Sequence, residues 1–267
     1  SLYKNPGQSG GGTNNEISIY FSFGESTSSH RYIGYEIRHY QGSWTNQHLL
    51  DSWHHFAIVR DGTGQPDGDN SGHIGELTLY IDGVNTNSLT GEYDTSGTGA
   101  FILSGKGYIG KSGGTTPDTY FKGQLKHLRV YNNIQYSNNF VVDNSLFIVN
   151  NKNYVTTLDN NLKLYIPMNS IDINIYTSDS TKSLITFKDS SLYNHTIYGF
   201  GNTEYKTDKT INNISSIYFD GTGDYLKVGD IADSRFNFGS NNFTIETWIY
   251  INAYISWACV MGVGRAG

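Results

Sequence analysis

Short runs of alternating apolar and polar residues recur along this chain. Ile and Phe alternate with Ser and Tyr in residues 17–23, Leu and Ile alternate with Thr, Tyr and Asp in 77–82, and Phe243, Ile245 and Ile249 share one face of a third run. Since side chains of a strand point alternately to its two faces, each run predicts a strand with a buried face. Asp82-Gly83 then predicts a tight hairpin turn. Many such strands joined by Gly-rich turns indicate a β-sandwich or barrel.

Composition supports an all-β protein. The 267 residues include 31 Gly, 21 Tyr and 13 Phe, and only 16 % are charged. Tyr, Phe and Gly favour strands and tight turns, and no long window has helical apolar spacing. This length accommodates one large sandwich or two small domains.

Charge and cysteine content exclude several classes of function. The formal net charge of −6 argues against nucleic acid as a partner, because phosphate binding needs clustered Lys and Arg. The longest mostly apolar run, 255–263, is too short to span a bilayer, so no membrane insertion is expected. Cys259 is the only cysteine, so an intrachain disulfide is impossible.

Six motifs together resemble a known family. They are WHHFAIVRDG (53–62), GELTLYIDG (75–83), FKGQLKHLRVY (121–131), FKDSSLYNHT (187–196), SSIYFDGTGDYLKVGD (215–230) and NNFTIETWIY (241–250). The chain resembles laminin-G-like domains of the concanavalin A-like lectin/glucanase type, and its motif sequences are similar to those of repeats in phage and viral structural proteins. The resemblance implies an all-β, antiparallel two-sheet jelly-roll sandwich.

The order of these motifs is inverted, because in the family the last three precede the first three. We therefore interpret residues 1–140 as the C-terminal half of a sandwich, 141–161 as an Asn-rich connector and 162–267 as the N-terminal half of a sandwich. One alternative is a single permuted domain formed by both halves, which an exposed Gly-rich junction would tolerate. The other is a chain cut out of phase from a tandem array, in which each half pairs with sequence outside it.

Two groups of residues are candidate ligands for Ca²⁺, the one cofactor that the sequence suggests. Asp67, Asp69 and Ser71, followed by Gly72, resemble the first half of a calcium loop, although position twelve is Thr78. The family resemblance implies a calcium ligand at Asp189, which Asp220 and Asp224 would join. The alternative for each residue is a turn that Asp, Ser and Gly favour without any ion.

Catalysis is not expected. Polysaccharide-cleaving relatives of this fold carry acidic residues at alternate positions of one strand, whereas Glu246 has only Thr244 and Trp248 as same-face neighbours. The adjacent His54 and His55 would point to opposite faces of a strand, so we predict structural positions instead of a zinc site.

Four aromatic residues are candidates for sugar binding, since aromatic faces beside polar groups recognise saccharides. They are Trp44, Tyr93, Tyr120 and Trp248. We predict a non-catalytic adhesion module that binds a glycan or cell-surface receptor, located extracellularly or on a virion surface, with other subunits or repeats of the same protein as further partners. The alternative is a purely structural virion or surface-assembly module, and a polysaccharide-cleaving enzyme is the least favoured reading.

Overall fold

The computed structural model assigns most of the residues that it describes to strands. It covers residues 16–24, 30–40, 43–44, 49–61, 76–85, 101–102, 105–111, 120–142, 159–168, 174–179, 182–211, 214–229, 236–239, 241–253, 255 and 258–265. Within these ranges no helix is long and apolar enough to cross a membrane. The strands are β1 (Glu16–Gly24), β2 (His30–Tyr40), β3 (Ser43–Trp44), β4 (Trp53–Asp61), β5 (Glu76–Ile81), β6 (Val84–Asn85), β7 (Phe101–Ile102), β8 (Gly105–Ile109), β9 (Lys122–Tyr131), β10 (Leu162–Ile166), β11 (Asn174–Asp179), β12 (Lys182–Lys188), β13 (Thr196–Phe200), β14 (Glu204–Ile211), β15 (Ile214–Asp220), β16 (Tyr225–Val228), β17 (Asn237–Gly239), β18 (Phe243–Ile251) and β19 (Ala258–Arg265).

Two large sheets enclose one core, as predicted for a sandwich. One has nine strands in the order β11-β12-β13-β16-β8-β19-β1-β2-β3, and the other has the order β14-β15-β9-β18-β4-β5-β6, with β10 added beside β9. Their inner faces meet in a single apolar cluster, to which the first sheet contributes Ile197 and Leu226 and the second Phe56 and Ile245. The pairings between these strands are antiparallel except β1 with β19, which is parallel.

Strands from the two parts of the sequence, 1–140 and 162–267, are hydrogen-bonded neighbours in both sheets. β9 lies between β15 and β18, and β8 lies between β16 and β19. The described strands of these two parts therefore share one core. The domain boundaries and the permuted ancestry stay a prediction, and most of the predicted connector lies outside the described residues.

A tight turn between β5 and β6 and a bulge in β9 set the local geometry of the eight-stranded sheet. The β5–β6 hairpin turns at Asp82 and Gly83, whose φ angles are 51° and 78°. A type I′ hairpin turn requires positive φ at both of its central residues, and Asp-Gly is a sequence that favours it. In β9 the core-facing residues switch from Leu125 to Leu128. A bulge makes this possible: His127 has a φ of 52°, and the pairing with β18 shifts there.

The residues after β9 cover part of the eight-stranded sheet. We call residues 132–142 the strap. The strap residues Tyr136 and Phe140 stack on each other at 3.6 Å and pack with Ala57, Val59 and Tyr80 on the outer face. The Phe140 N–H donates to the Gly83 carbonyl at 2.9 Å, which ties the strap to the β5–β6 turn. As a result β18 is buried on both faces.

Candidate functional site

Three neighbouring strands of the nine-stranded sheet carry aromatic and basic residues on its outer face. Ile197, Leu226 and Ile109 of β13, β16 and β8 point into the core, so the alternate positions face outward. Gly110 and Lys111 extend β8 and pair with Tyr120 and Phe121. We call the resulting surface the tyrosine–lysine patch. It consists of seven partly exposed residues: Tyr108, Lys111, Tyr120, Tyr198, Phe200, Tyr225 and Lys227.

The rings of the tyrosine–lysine patch contact one another and one ammonium group. Phe200 and Tyr225, paired across β13 and β16, stack with centroids 4.6 Å apart and planes 3° apart. Tyr108 meets Tyr225 edge-on at 5.6 Å. Lys111 Nζ lies 4.8 Å from the Tyr108 centroid, 4.9 Å from that of Tyr225 and 6.0 Å from that of Tyr120. These are distances at which a cation is attracted to an aromatic ring.

The buried carboxylate of Asp224 holds together the turns that carry this patch. Asp224 Oδ1 accepts the Asn202 N–H at 2.5 Å, and Oδ2 accepts the Asp220 N–H at 2.8 Å. Asn202 lies in the turn after Phe200, and Asp224 directly precedes Tyr225. The carboxylate thereby holds the backbone next to Phe200 and next to Tyr225, the two residues whose rings stack.

Two glycines allow this close packing. Gly201 has a φ of 71°, and a Cβ there would collide with Asp224 Oδ1 and Gly223 O. Gly110 has a φ of 88°, and a Cβ there would collide with the Phe219 ring. A side chain at either position would displace the turn that carries Phe200 or Lys111.

Asp220 and Asp224, predicted to help hold calcium, lie together in the β15–β16 turn. Asp220 Oδ1 accepts the Thr222 N–H, so both carboxylates bond to backbone donors. Burial raises the pKa of Asp224 above its usual value and outweighs the opposing effect of the two N–H donors, and the nearby Asp220 adds to the rise. Across the part of the chain that the structure describes, no group of three or more His, Cys, Asp and Glu side chains could hold a metal ion.

Asp189, the other predicted calcium ligand in the described ranges, is buried in a hydrogen-bonded turn. Its Oδ1 accepts the N–H groups of Tyr165 and Ser191 at 2.9 and 2.8 Å. Its Oδ2 accepts the Ser191 hydroxyl at 2.7 Å and the His195 N–H at 2.8 Å. Four donors therefore reach a carboxylate that offers about four lone-pair sites, which makes Asp189 a clamp between β10 and the 189–195 turn. Calcium at Asp189 stays a prediction.

Glu246 is the buried acid of β18, and sequence reasoning missed its partners. Oε1 accepts from Arg129 Nη1 at 3.1 Å, and Oε2 accepts the Tyr136 hydroxyl at 2.6 Å and lies 3.3 Å from His55 Nε2. Burial alone would raise the pKa of Glu246, but the His55 hydrogen bond and the Arg129 charge lower the pKa to about 2. Burial and the Glu246 carboxylate raise the pKa of Tyr136 in turn.

The predicted aromatic and histidine residues lie in different surroundings. Tyr120 is partly exposed in the tyrosine–lysine patch, whereas Trp248 is only 8 % exposed and packs edge-on against His55. Trp248 therefore offers no open ring face. Trp44 pairs through its backbone with His39. His54 and His55 bond to Asp82 and Glu246, as expected of structural positions.

Several predicted residues lie outside the described ranges, namely Asp67, Asp69, Ser71 and Tyr93. Other members of the tyrosine–lysine patch were not predicted, although a signal existed. Tyr198 and Phe200, like Tyr225 and Lys227, are spaced two apart beside Gly-containing turns. Only the strand order brings these pairs together.

Comparison with known proteins agrees with this architecture. Residues 5–135 match the laminin-G profile described as "Concanavalin A-like lectin/glucanases superfamily". No curated protein and no solved structure matches the chain. The profile match and the two-sheet fold confirm the family that the sequence motifs suggested. Residues 5–135 therefore belong to a laminin-G-like domain of the concanavalin A-like lectin/glucanase superfamily.

Proposed function

We propose that this protein is a non-catalytic binding module that recognises a glycan, free or on a cell-surface receptor, through the tyrosine–lysine patch. The observation that carries the proposal is the single outer surface formed by seven partly exposed aromatic and basic side chains on adjacent strands. Saccharide sites combine aromatic side chains with a few polar or charged groups. Because strands and the Asp224 clamp hold these side chains, binding would cost little ordering entropy.

The state of the buried acids supports binding over catalysis. Glycoside hydrolysis needs an acid that is protonated at working pH beside a second carboxylate within reach of the substrate. Glu246 is buried under the strap with a pKa lowered to about 2. Asp189 and Asp224 are also buried and bonded to backbone donors.

The proposal also covers place and cofactor. An extracellular or virion-surface location suits a module that binds cell-surface glycans. Calcium remains a proposal for the 60–76 insert, where Asp67, Asp69 and Ser71 have the alternate spacing of an oxygen-ligand loop.

A glycan array tests the proposal. Wild-type protein is expected to bind a defined subset of glycans, and Tyr225→Ala should lose that binding while its melting curve shows a folded protein. Tyr218→Ala is the matched control, because Tyr218 is also a partly exposed tyrosine under a lysine, but on the other sheet. A glycan signal unaffected by Tyr225→Ala, or no signal at all, would contradict the proposal.

One observation favours the purely structural alternative. Val141 of the strap and Val84 of the β5–β6 hairpin are 93 % and 55 % exposed, and the Phe140–Gly83 hydrogen bond brings their segments together. Exposed apolar residues at a sheet edge suit contact with another subunit or repeat. Concentration-dependent self-association by analytical ultracentrifugation, lost in Val141→Asp, would support this function.

A further inference from the structure

We propose that the ligand of the tyrosine–lysine patch carries an anionic group, and that Lys111 binds this group. The inference rests on the proposed function and adds the chemical class of the saccharide. The Lys111 ammonium lies among three tyrosine rings, within 4.8 to 6.0 Å of their centroids. The positive charge of Lys111 thereby lies beside the aromatic rings of the tyrosine–lysine patch.

The contacts within the tyrosine–lysine patch favour an anion over a neutral sugar ring. Tyr225 is engaged by the parallel Phe200 ring and by Lys111. Tyr108 is engaged by Lys111 and by the edge contact with Tyr225. The Tyr225 ring, with Phe200 stacked on it and Lys111 over it, meets a ligand mainly with its edge, which carries partial positive charge. A neutral saccharide that needs an open ring face gains less here than a carboxylated or sulfated one.

A second ammonium strengthens the same preference. Lys227 lies in register between Tyr198 and Tyr108 on the outer face. A hydrogen bond between an ammonium and a carboxylate or sulfate is about twice as strong as one between neutral groups. The net charge of −6 means that the chain as a whole repels anions, so any selective binding of an acidic sugar must be local.

Matched monosaccharides provide the test. Glucose, glucuronate and glucose 6-sulfate are titrated into the isotopically labelled 267-residue chain, and side-chain NMR shifts of Lys111 and Tyr225 are followed at low and high salt. We expect at least one anionic sugar to bind about tenfold or more tightly than glucose, with an affinity that falls as salt rises. Comparison of glucuronate with the sulfate ester identifies which anion is preferred.

The variants separate this inference from the proposed function. Lys111→Gln should abolish the anion preference, whereas the control Lys206→Gln removes a lysine above Tyr218 on the other sheet and should leave it intact. Equal affinities for glucose and the anionic sugars, with glycan binding still lost in Tyr225→Ala, would overturn the anion inference alone. An absence of patch shifts with every sugar, together with an array signal that Tyr225→Ala leaves unchanged, would overturn both.

Discussion

The Tyr136 hydroxyl in the strap donates a 2.6 Å hydrogen bond to Glu246 Oε2 in the sheet beneath it. Tyr136→Phe keeps the ring stacked on Phe140 and removes only this bond. Hydrogen bonds to charged groups contribute about 1.5–3 kcal/mol to stability. The free energy of unfolding of the variant, measured by urea denaturation, should therefore be lower than that of wild type by an amount in this range. Tyr218→Phe, which removes a phenol hydroxyl outside this network, should change stability little. Equal losses in the two variants would contradict a specific role for the Tyr136 bond.

The sequence predicted the fold class more fully than the sites because alternation is a local signal. Ile245 and Ile249 of β18 face the core as their period of two predicts. Glu246 looked isolated from sequence alone, because Arg129 and His55 are distant in sequence and meet it only through the β9–β18–β4 pairing. Long-range strand order is not encoded in local pattern.

The hydrogen-bond partners of the predicted calcium ligands could not be derived from the local motif either. Asp189 and Asp224 have the oxygen chemistry that calcium prefers, and the sequence motifs place both next to turns. Which donors reach a carboxylate depends on the turn geometry, and here backbone N–H groups do so. An aspartate in a Gly- and Ser-rich motif is compatible with either outcome until the turn is known.

Acid should destabilise the protein through Glu246. Its pKa is lowered from 4.5 to about 2 on folding, so its stabilising contribution is complete above the unfolded value and is lost as pH falls from about 4.5 towards 2. A shift of this size corresponds to about 3 kcal/mol. The raised pKa of Asp224 acts in the opposite direction, because the protonated form is favoured in the folded state.

Glu246→Gln isolates the first contribution. The stability difference between wild type and Glu246→Gln should be large at pH 7 and should shrink as the pH approaches 2, measured by urea denaturation at several pH values. A difference that does not vary with pH would show that Glu246 titrates normally in the folded state.

Asp189 should stabilise the protein without calcium. Asp189→Asn replaces one carboxylate oxygen by an NH₂ group and leaves one pair of donors without an acceptor, either Tyr165 N–H with Ser191 N–H or Ser191 Oγ–H with His195 N–H. The expected loss is about 2–6 kcal/mol, since two donors lose their acceptor and each buried unsatisfied group costs about 1–3 kcal/mol.

Calcium and chelator distinguish this role from ion binding. The loss in Asp189→Asn should be the same in excess calcium and in EDTA, because an ion that binds only the folded state would add stability in calcium alone. If calcium stabilises wild type and this effect disappears in Asp189→Asn, Asp189 is an ion ligand after all. If the effect disappears instead in Asp67→Asn, the ion belongs to the 60–76 insert.

Gly201 and Gly223 form a matched pair that tests the Asp224 clamp. Both have positive φ, 71° and 82°, but a Cβ at Gly201 would collide with Asp224 Oδ1, whereas a Cβ at Gly223 would meet nothing within 4 Å. Gly223→Ala should therefore lower the free energy of unfolding by about 1–2 kcal/mol, which is the cost of a left-handed backbone conformation for a residue with a Cβ. Gly201→Ala should lower it by more, because the turn must also move. Ring currents of Tyr108 and Tyr225 should shift the Lys111 side-chain NMR signals in wild type and in Gly223→Ala, and this shift should disappear in Gly201→Ala. Retention of the Lys111 shift in Gly201→Ala would show that the tyrosine–lysine patch does not depend on the packing of this turn against Asp224.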